Sequence, residues 1–84
     1  MNLVFTDEAK RDLKRLDRTT ADRIVTKFLW LKDNFSSYFH QSLTGQLKGF
    51  YKLRVGDWRV IYNFNEQRIV VHFVDHRSKV YNRR

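Results

Sequence analysis

The sequence predicts an α+β fold in which an N-terminal antiparallel helical hairpin packs on an antiparallel β-sheet of three or four strands. Two observations predict it. Apolar residues recur at intervals of three and four in the first 35 residues, the period of helices, and at alternate positions from residue 50 onwards, the period of strands. A helical segment followed by a strand segment is typical of α+β folds. A chain of 84 residues is long enough for one domain, which we assign to residues 1–84.

The first half of the chain contains the two predicted helices. They are preceded by Leu3–Phe5, an apolar run that can form an edge strand. Thr6 is a favourable N-cap and predicts a first helix over residues 7–17. Only a few residues separate it from the second helix, so we expect the two to lie antiparallel as a hairpin. The second helix is predicted over residues 20–34 from five apolar residues spaced by three and four: Ala21, Ile24, Phe28, Leu31 and Phe35.

Three strands are expected after a polar loop over residues 36–46. They are rich in β-branched and aromatic residues and comprise Phe50–Val55, Trp58–Phe64 and Ile69–Asp75. Gly56 and Asp57 form the first hairpin turn, with glycine where a positive φ is needed. The tail from His76 onwards is too short for more than one helical turn.

The two-residue turn fixes the register of the first hairpin. It pairs Val55 with Trp58 and Arg54 with Arg59, and directly opposed residues share a face. One face is then apolar and is expected to meet the helices: Tyr51, Leu53, Val55, Trp58, Val60, Tyr62, Phe64, Ile69, Val71 and Phe73. The other face mixes cations with apolar residues: Lys52, Arg54, Arg59, Ile61, Val70, His72 and Val74.

We expect the second face to bind a phosphate group. Arg54 and Arg59 lie opposite each other there, and like charges opposed across strands destabilise a hairpin. A sequence optimised for folding alone would place a glutamate at one of the two positions. Lys52 adds a third cation, and no acid occurs among those strand positions. Because lysine and arginine are also common on solvated sheet faces, the pattern alone leaves that interpretation open.

The net charge favours an anionic partner. A charge of +8 and a pI near 10.2 indicate nucleic acid, an acidic membrane surface or an acidic protein. Residues 48–84 hold nine basic and three acidic residues, so the binding surface is expected in this half. A membrane surface is disfavoured because the cations lie on strands and not on an amphipathic helix. Without cysteine, and without metal-ligand spacing among the other residues, the sequence predicts no metal and no cofactor.

The tail adds groups that handle protons and phosphate. His76 can exchange protons near neutral pH, and Arg77 can stabilise a developing negative charge. Tyr81 can donate or accept a proton or stack on a base. Taken singly, His76 is better explained as a strand-end surface residue, and Tyr81 as an aromatic residue that packs the C-terminus.

The segment from Leu47 to Tyr62 and the closing His-Arg-Ser-Lys-Val-Tyr at 76–81 resemble the RelE/ParE superfamily of bacterial type II toxin–antitoxin toxins. The pattern Tyr-Lys-Leu-Arg-Val-Gly-Asp-aromatic-Arg-Val-Ile-Tyr at 51–62 is specific to it. The N-terminal Phe-Thr-x-x-Ala-Lys-x-x-Leu-x-x-Leu at 5–16 fits as well. The resemblance therefore spans nearly the whole chain, and it implies a RelE-like fold of two helices on an antiparallel sheet.

The resemblance implies an mRNA interferase, a ribosome-dependent endoribonuclease that cleaves messenger RNA in the A site and inhibits translation. The implied reaction needs no metal: a 2′-hydroxyl attacks the adjacent phosphate and gives a 2′,3′-cyclic phosphate and a 5′-hydroxyl. Motif positions imply catalytic roles for Lys52, Arg54, Arg59 and Tyr81, with His76 and Arg77 as further candidates. RNA contacts are expected from nine residues: Lys48, Lys52, Arg54, Arg59, His72, Arg77, Lys79, Arg83 and Arg84.

One position departs from the family pattern. Asp75 stands where RelE-type members carry a catalytic arginine, and Arg77 or His76 can substitute for it, which leaves the general base open. Two other functions also stay open. One is a ParE-like inhibitor of DNA gyrase that cleaves nothing, and the other is a degenerate toxin that acts mainly with its antitoxin as a co-repressor.

Each toxin interpretation requires an antitoxin partner. We expect an antitoxin encoded beside the toxin, with an acidic segment that covers the basic face. The resemblance also implies contacts with the ribosome and messenger RNA, and a toxin–antitoxin complex that binds its operator DNA through the antitoxin. The sequence shows no signal peptide and no membrane-spanning run, so we expect a cytoplasmic location and no membrane partner.

Overall fold

Two helices lie on one face of a five-stranded mixed sheet in the computed structural model, which describes residues 1–83. The elements are β1 (Asn2–Phe5), α1 (Asp7–Arg15), α2 (Arg18–Asp33), β2 (Gln41–Ser42), β3 (Tyr51–Val55), β4 (Trp58–Phe64) and β5 (Arg68–His76). The sheet order is β1-β5-β4-β3-β2, and β1 runs parallel to β5 while all other neighbours are antiparallel. The predicted α+β class is confirmed, and so is the edge strand before the helices. The expected sheet of three or four antiparallel strands was wrong, because the sheet has five strands and β1 pairs in parallel.

Side-chain caps determine where both helices begin. The Thr6 hydroxyl accepts a hydrogen bond from the Ala9 amide at 3.1 Å, as its N-cap position predicts. Asp17 caps α2 in the same way, and its hydrogen bonds from the hydroxyl and the amide of Thr20 lower the pKa of the Asp17 carboxyl. Because of this cap, α2 begins two residues earlier than predicted. Within residues 1–83, no helix has the length and apolarity needed to cross a membrane.

The main core lies between the helices and the sheet. Phe28 on α2 packs edge-on against Tyr62 on β4, with ring centroids 5.3 Å apart. The β3–β4 pairing follows the register predicted from the turn, from Val55 opposite Trp58 onwards. The buried residues of this core are Ala9, Ile24, Phe28, Leu31, Leu53, Val55, Val60, Tyr62, Ile69, Val71 and Val74.

A β-bulge in β5 changes which side chains face the helices. Ile61 and Tyr62 are adjacent in β4, but they pair with Phe73 and Val71, so one residue of β5 is left over. Beyond the bulge, Val74 turns towards the helices and Phe73 turns away from them. The predicted faces of these two residues were therefore wrong, because strict alternation assumes a regular strand.

Phe73 belongs to a second, smaller core on the face opposite the helices. The buried residues of this second core are Leu47, Ile61, Phe73 and Val80, and Leu43 and Phe50 pack against them. Val80 comes from a single 3₁₀ turn, Val80–Asn82, which we call the C-terminal turn. The second core therefore binds the tail of the chain to the sheet.

The edge strand β2 covers only part of β3. The segment predicted as a loop over residues 36–46 contains this two-residue strand, and Gln41 and Ser42 pair with Lys52 and Tyr51. Among residues 1–83, no strand pairs with the rest of β3 on this outer side, which includes Arg54. This end of the sheet is therefore open.

Candidate functional site

Lys52 and Tyr81 meet on the sheet face opposite the helices. Lys52 lies on β3, and Tyr81 lies in the C-terminal turn. The Lys52 ammonium donates a hydrogen bond to the Tyr81 hydroxyl oxygen at 2.8 Å, and Nζ lies 5.6 Å from the ring centroid. Tyr81 is half exposed. A phenol that accepts a hydrogen bond can still donate its own proton, so this pair can present both a positive charge and a proton donor.

Arg54 and Arg59 complete what we call the cation face, which consists of Lys52, Arg54 and Arg59. The two arginines are direct partners across β3 and β4, as predicted. Arg59 Nη1 donates to the carbonyls of Gly56 and Trp58, both at 3.0 Å. Gly56 has a φ of +59°, which explains the glycine in this turn. These bonds fix the Arg59 guanidinium over the turn, and its other N–H groups can reach a phosphate oxygen.

A groove of about 730 Å³ lies between α2 and the open end of β3. Arg54 lines it on the strand side, and Arg23 and Lys27 line it on the helix side. Lys27 Nζ lies 4.2 Å from the centroid of Trp30, which is 44% exposed. The groove therefore continues the positive charge of the cation face around the side of the molecule. Its other lining residues are Thr19, Asp22, Thr26, Val55 and Gly56.

His76 and Arg77 do not join the cation face. His76 pairs with Trp58, with ring centroids 5.5 Å apart, so it belongs to the helix-facing side. Its Nδ1 accepts the Ser78 amide at 3.2 Å and lies 2.8 Å from the Ser78 hydroxyl. Arg77 Nε lies 3.7 Å from Asp57 Oδ1 in the hairpin turn. The bulge causes the placement of His76, because it reverses the facing of the later residues in β5, whereas Arg77 follows the end of that strand.

Arg83 lies among three carboxylates. Its Nη2 is 2.8 Å from Asp12 Oδ1 and 3.1 Å from Glu8 Oε2, and its Nη1 is 3.4 Å from Asp75 Oδ2. Burial lowers the pKa of the Arg83 guanidinium, but the Asp12 hydrogen bond and the three negative charges outweigh it, so the pKa is raised. The charge of Arg83 is therefore neutralised within the protein by these carboxylates.

The other residues predicted to contact RNA are dispersed. Lys48 and Lys79 are exposed, just before β3 and just after β5. His72 is partly buried, with Nε2 2.8 Å from Asn63 Oδ1 and its ring edge-on to Phe50. Arg84 lies outside the described residues. Within residues 1–83, no cluster of His, Asp or Glu is arranged to hold a metal ion.

His40 lies in an aromatic cluster with Phe35, Tyr38, Tyr51, Tyr62 and Phe64. Its Nε2 is 3.1 Å from the Phe35 carbonyl, which can only accept, so Nε2 carries the proton. Nδ1 then accepts from the Tyr62 hydroxyl at 2.7 Å. Burial, together with Tyr38 and Tyr51 nearby, raises the pKa of the Tyr62 phenol and keeps it protonated. This cluster supports the sheet and is not part of the cation face.

Residues 3–81 match the sequence model of a family described as the ParE toxin of the type II toxin–antitoxin system, parDE. The match covers all the helices and almost all of the sheet. No curated protein matches the sequence.

Several solved structures have a similar fold. A chain of the RelBE2 toxin–antitoxin complex from Mycobacterium tuberculosis is 26% identical and superposes with a TM-score of 0.73, covering 89% of this chain and 95% of that chain. A chain of the RelB–RelE antitoxin–toxin complex from Methanococcus jannaschii is 21% identical, with a TM-score of 0.71 and coverage of 94% and 95%. The YoeB dimer from Staphylococcus aureus is 19% identical, with a TM-score of 0.72 and coverage of 90% and 95%. The last two likenesses show the fold alone.

Proposed function

Because this chain belongs to the ParE toxin family of type II toxin–antitoxin systems, within the RelE/ParE superfamily, we propose that it is a ribosome-dependent endoribonuclease. It cleaves messenger RNA in the A site and thereby inhibits translation. The observation that carries the proposal is the hydrogen bond between Lys52 and Tyr81 at 2.8 Å, on the same sheet face as Arg59. This arrangement places a proton donor beside fixed positive charge, which is what cleavage of a phosphodiester needs.

The proposed reaction is an internal phosphoryl transfer. The 2′-hydroxyl of one nucleotide transfers its proton to a general base, and its oxygen bonds to the adjacent phosphorus. The bond from phosphorus to the 5′ oxygen of the next nucleotide breaks, and that oxygen takes up a proton. The products are a 2′,3′-cyclic phosphate and a 5′-hydroxyl. Negative charge builds up on the phosphate oxygens during the step, so preorganised cations lower its barrier.

The residues of the cation face divide these tasks. Arg59 is held by two carbonyls, so its free N–H groups are oriented before the RNA arrives and can stabilise the developing charge. Lys52 neutralises the phosphate and orients the Tyr81 hydroxyl. Tyr81 donates the proton to the leaving 5′ oxygen. Arg54 is exposed at the edge of the sheet, where it guides the RNA backbone.

His76 and Arg77 have a smaller part in this proposal than the family pattern suggested. His76 packs against Trp58 on the helix-facing side, and Arg77 is paired with Asp57 in the hairpin turn. Asp75 is bound to Arg83 and does not replace the arginine of RelE-type members. Position 75 therefore supplies no cation to the proposed reaction.

An acidic antitoxin is the proposed protein partner. Chains in complexes with antitoxins are among the similar structures. An acidic segment that lies over the cation face and continues into the groove beside Arg54 would meet Arg23 and Lys27. The operator DNA is bound through the antitoxin in this proposal, and the protein acts in the cytoplasm, where ribosomes and messenger RNA occur.

The name of the matching family favours a second candidate, a ParE-like toxin that binds DNA gyrase without cleaving anything. The fold cannot separate the two functions, because function depends on the site. A gyrase binder has no chemical need for a tyrosine hydroxyl held by a lysine. A degenerate toxin that acts mainly with its antitoxin as a co-repressor needs neither RNA cleavage nor gyrase binding.

Primer extension on a defined messenger RNA tests the proposal. The reaction contains a purified translation system with and without the protein, and parallel reactions omit the ribosomes. Cuts within codons at the A site that require ribosomes would support the nuclease. An intact messenger, with a protein preparation that still arrests growth, would reject it, and a DNA supercoiling assay with purified gyrase would then test the ParE-like function.

A further inference from the structure

The C-terminal turn that carries Tyr81 is too short to hold its own shape. It consists of three residues in a single 3₁₀ turn, and such turns have poor hydrogen-bond geometry. Its position must therefore come from contacts with the rest of the protein. Val80 supplies one of them, because it is fully buried in the second core.

Arg83 supplies the other anchor, on the far side of Tyr81. Its Nη1 donates to the Val74 carbonyl at 2.8 Å, and its Nη2 donates to Asp12 Oδ1 at 2.8 Å. Its guanidinium carbon lies 4.9 Å from the centroid of Phe73. The side chain therefore contacts β5 and α1 at the same time, and it is only 23% exposed.

Asp12 makes this anchor possible. It is buried on the sheet-facing side of α1, and its Oδ2 accepts the Val74 amide at 2.9 Å. β1 pairs with β5 only as far as Val71. On the side of β5 away from β4, Val74 therefore has no neighbouring strand among residues 1–83. Asp12 and Arg83 thus take the place of that strand: one accepts from the amide of Val74 and the other donates to its carbonyl.

We propose that Asp12 and Arg83 form a latch that positions Tyr81 against Lys52, so that Arg83 is a positioning residue for RNA cleavage and not an RNA contact. This inference rests on the proposed function of Tyr81. Val80 and Arg83 hold the turn on both sides, and the 2.8 Å contact between Tyr81 and Lys52 depends on both. The fork of the arginine is essential, because one planar group must reach Val74, Asp12 and Glu8 together.

The first test is a double-mutant cycle on cleavage. Arg83→Lys keeps the charge but loses the fork, and we expect it to lower kcat about tenfold with little change in KM, since a misplaced catalytic group costs rate. In a Tyr81→Phe background, the same substitution should lower kcat by less than about twofold, because the two residues act through one group. Equal effects in both backgrounds, or an effect on KM alone, would overturn the latch and favour a direct RNA contact. Arg18→Lys, at an exposed arginine paired with Asp22, is the matched control.

The second test does not need cleavage. Nuclear Overhauser contacts between the Lys52 side chain and the Tyr81 ring are measured in the free protein, the Arg83→Lys variant and the Arg83→Ala variant. We expect these contacts to be lost in both variants, while the methyl signals of Ile24 and Val60 in the main core stay unchanged. Contacts that persist in a folded Arg83→Ala protein would overturn the proposal. Absence of cleavage by the wild-type protein would reject the proposed function, and this comparison would still decide whether the latch positions Tyr81.

Discussion

Arg59 and Asp75 lie directly opposite each other across β4 and β5, yet their side chains bind elsewhere. Arg59 donates to the carbonyls of Gly56 and Trp58, and Asp75 Oδ2 lies 3.4 Å from Arg83. The expectation that no acid lies on the sheet face that carries Lys52, Arg54 and Arg59 was wrong, because the bulge in β5 brings Asp75 onto that face. Since Asp75 forms an ion pair with Arg83, it neutralises less of the positive charge that Arg59 can offer to a phosphate.

Arg59→Ala is expected to abolish growth arrest and to lower the cleavage rate by a factor on the order of 10²–10³, the loss found when a preorganised charge-stabilising group is removed. Arg59 is only partly buried, and its bonds go to the carbonyls of a turn, so the fold should persist. Primer extension measures the rate, and thermal unfolding checks the fold.

Arg68→Ala is the control for that experiment, because Arg68 is an exposed arginine at the start of β5. It should leave cleavage within about twofold of wild type, as exposed substitutions away from a site usually do. Normal growth arrest by a well-folded Arg59→Ala protein would remove the basis for the proposed site.

Tyr81→Phe is expected to lower the cleavage rate by about 10²-fold, because it removes a proton donor and keeps the ring. Tyr81 is half exposed, so the melting temperature should change little. Single-turnover cleavage on stalled ribosomes gives the rate, and Tyr81→Ala, which removes the ring as well as the hydroxyl, shows how much the ring adds. Unchanged cleavage by Tyr81→Phe would demote the hydroxyl to a packing group.

The register of β3 and β4 could be predicted because a two-residue turn fixes it. Gly56 marks the turn, and each following pair is then determined, which placed Arg54 opposite Arg59 as observed. The bulge in β5 could not be predicted in this way. Val71, Phe73 and Val74 are all apolar, so a shift of one residue leaves the pattern of hydrophobic residues almost unchanged.

The two edges of the sheet were harder to predict than its centre. β2 has two polar residues, Gln41 and Ser42, too few for an alternating pattern. β1 was expected as an edge strand, but its parallel pairing with β5 depends on residues more than sixty positions apart. Short-range periodicity carries no information on such a contact.

The sequence predicted part of the candidate site. It placed Lys52 and Arg59 on one face, and the family motif added Tyr81, which contacts Lys52. It missed the pairing of Asp12 with Arg83. A signal was present, since Asp12 lies on the same helical stripe as Ala9 and Leu13, and an acid on an apolar stripe indicates a buried partner.

Asp17→Ala is expected to lower the melting temperature at pH 7 and to have a smaller effect in acid. The pKa of the Asp17 carboxyl is lower in the folded chain than in the unfolded one, because Thr20 donates two hydrogen bonds to its charged form. The stability that it contributes is therefore complete above the unfolded pKa of about 3.9 and is lost as the pH falls through the lower folded value. Thermal unfolding at several pH values measures the difference between variant and wild type.

The control for Asp17 is Asp33→Ala, at an exposed aspartate in the last turn of α2, where no cap is lost. It should lower the melting temperature at pH 7 less than Asp17→Ala does, because no side-chain hydrogen bond to a helix N-terminus is removed. If the loss caused by Asp17→Ala is the same at pH 7 and below about pH 4, the cap does not depend on the charge of the Asp17 carboxylate.

Arg23→Glu is expected to slow association with the antitoxin about tenfold at low salt, because it reverses a charge in the groove beside the cation face. Lys10→Glu, at an exposed lysine of α1, changes the net charge equally without touching the groove and should have a smaller effect. Stopped-flow kinetics measure the association rate of each variant with the antitoxin at increasing ionic strength. The difference between the two variants should be largest at low salt and should shrink as salt screens the charges. Equal slowing by both variants would mean that overall charge alone attracts the antitoxin and that its acidic segment does not pass through the groove.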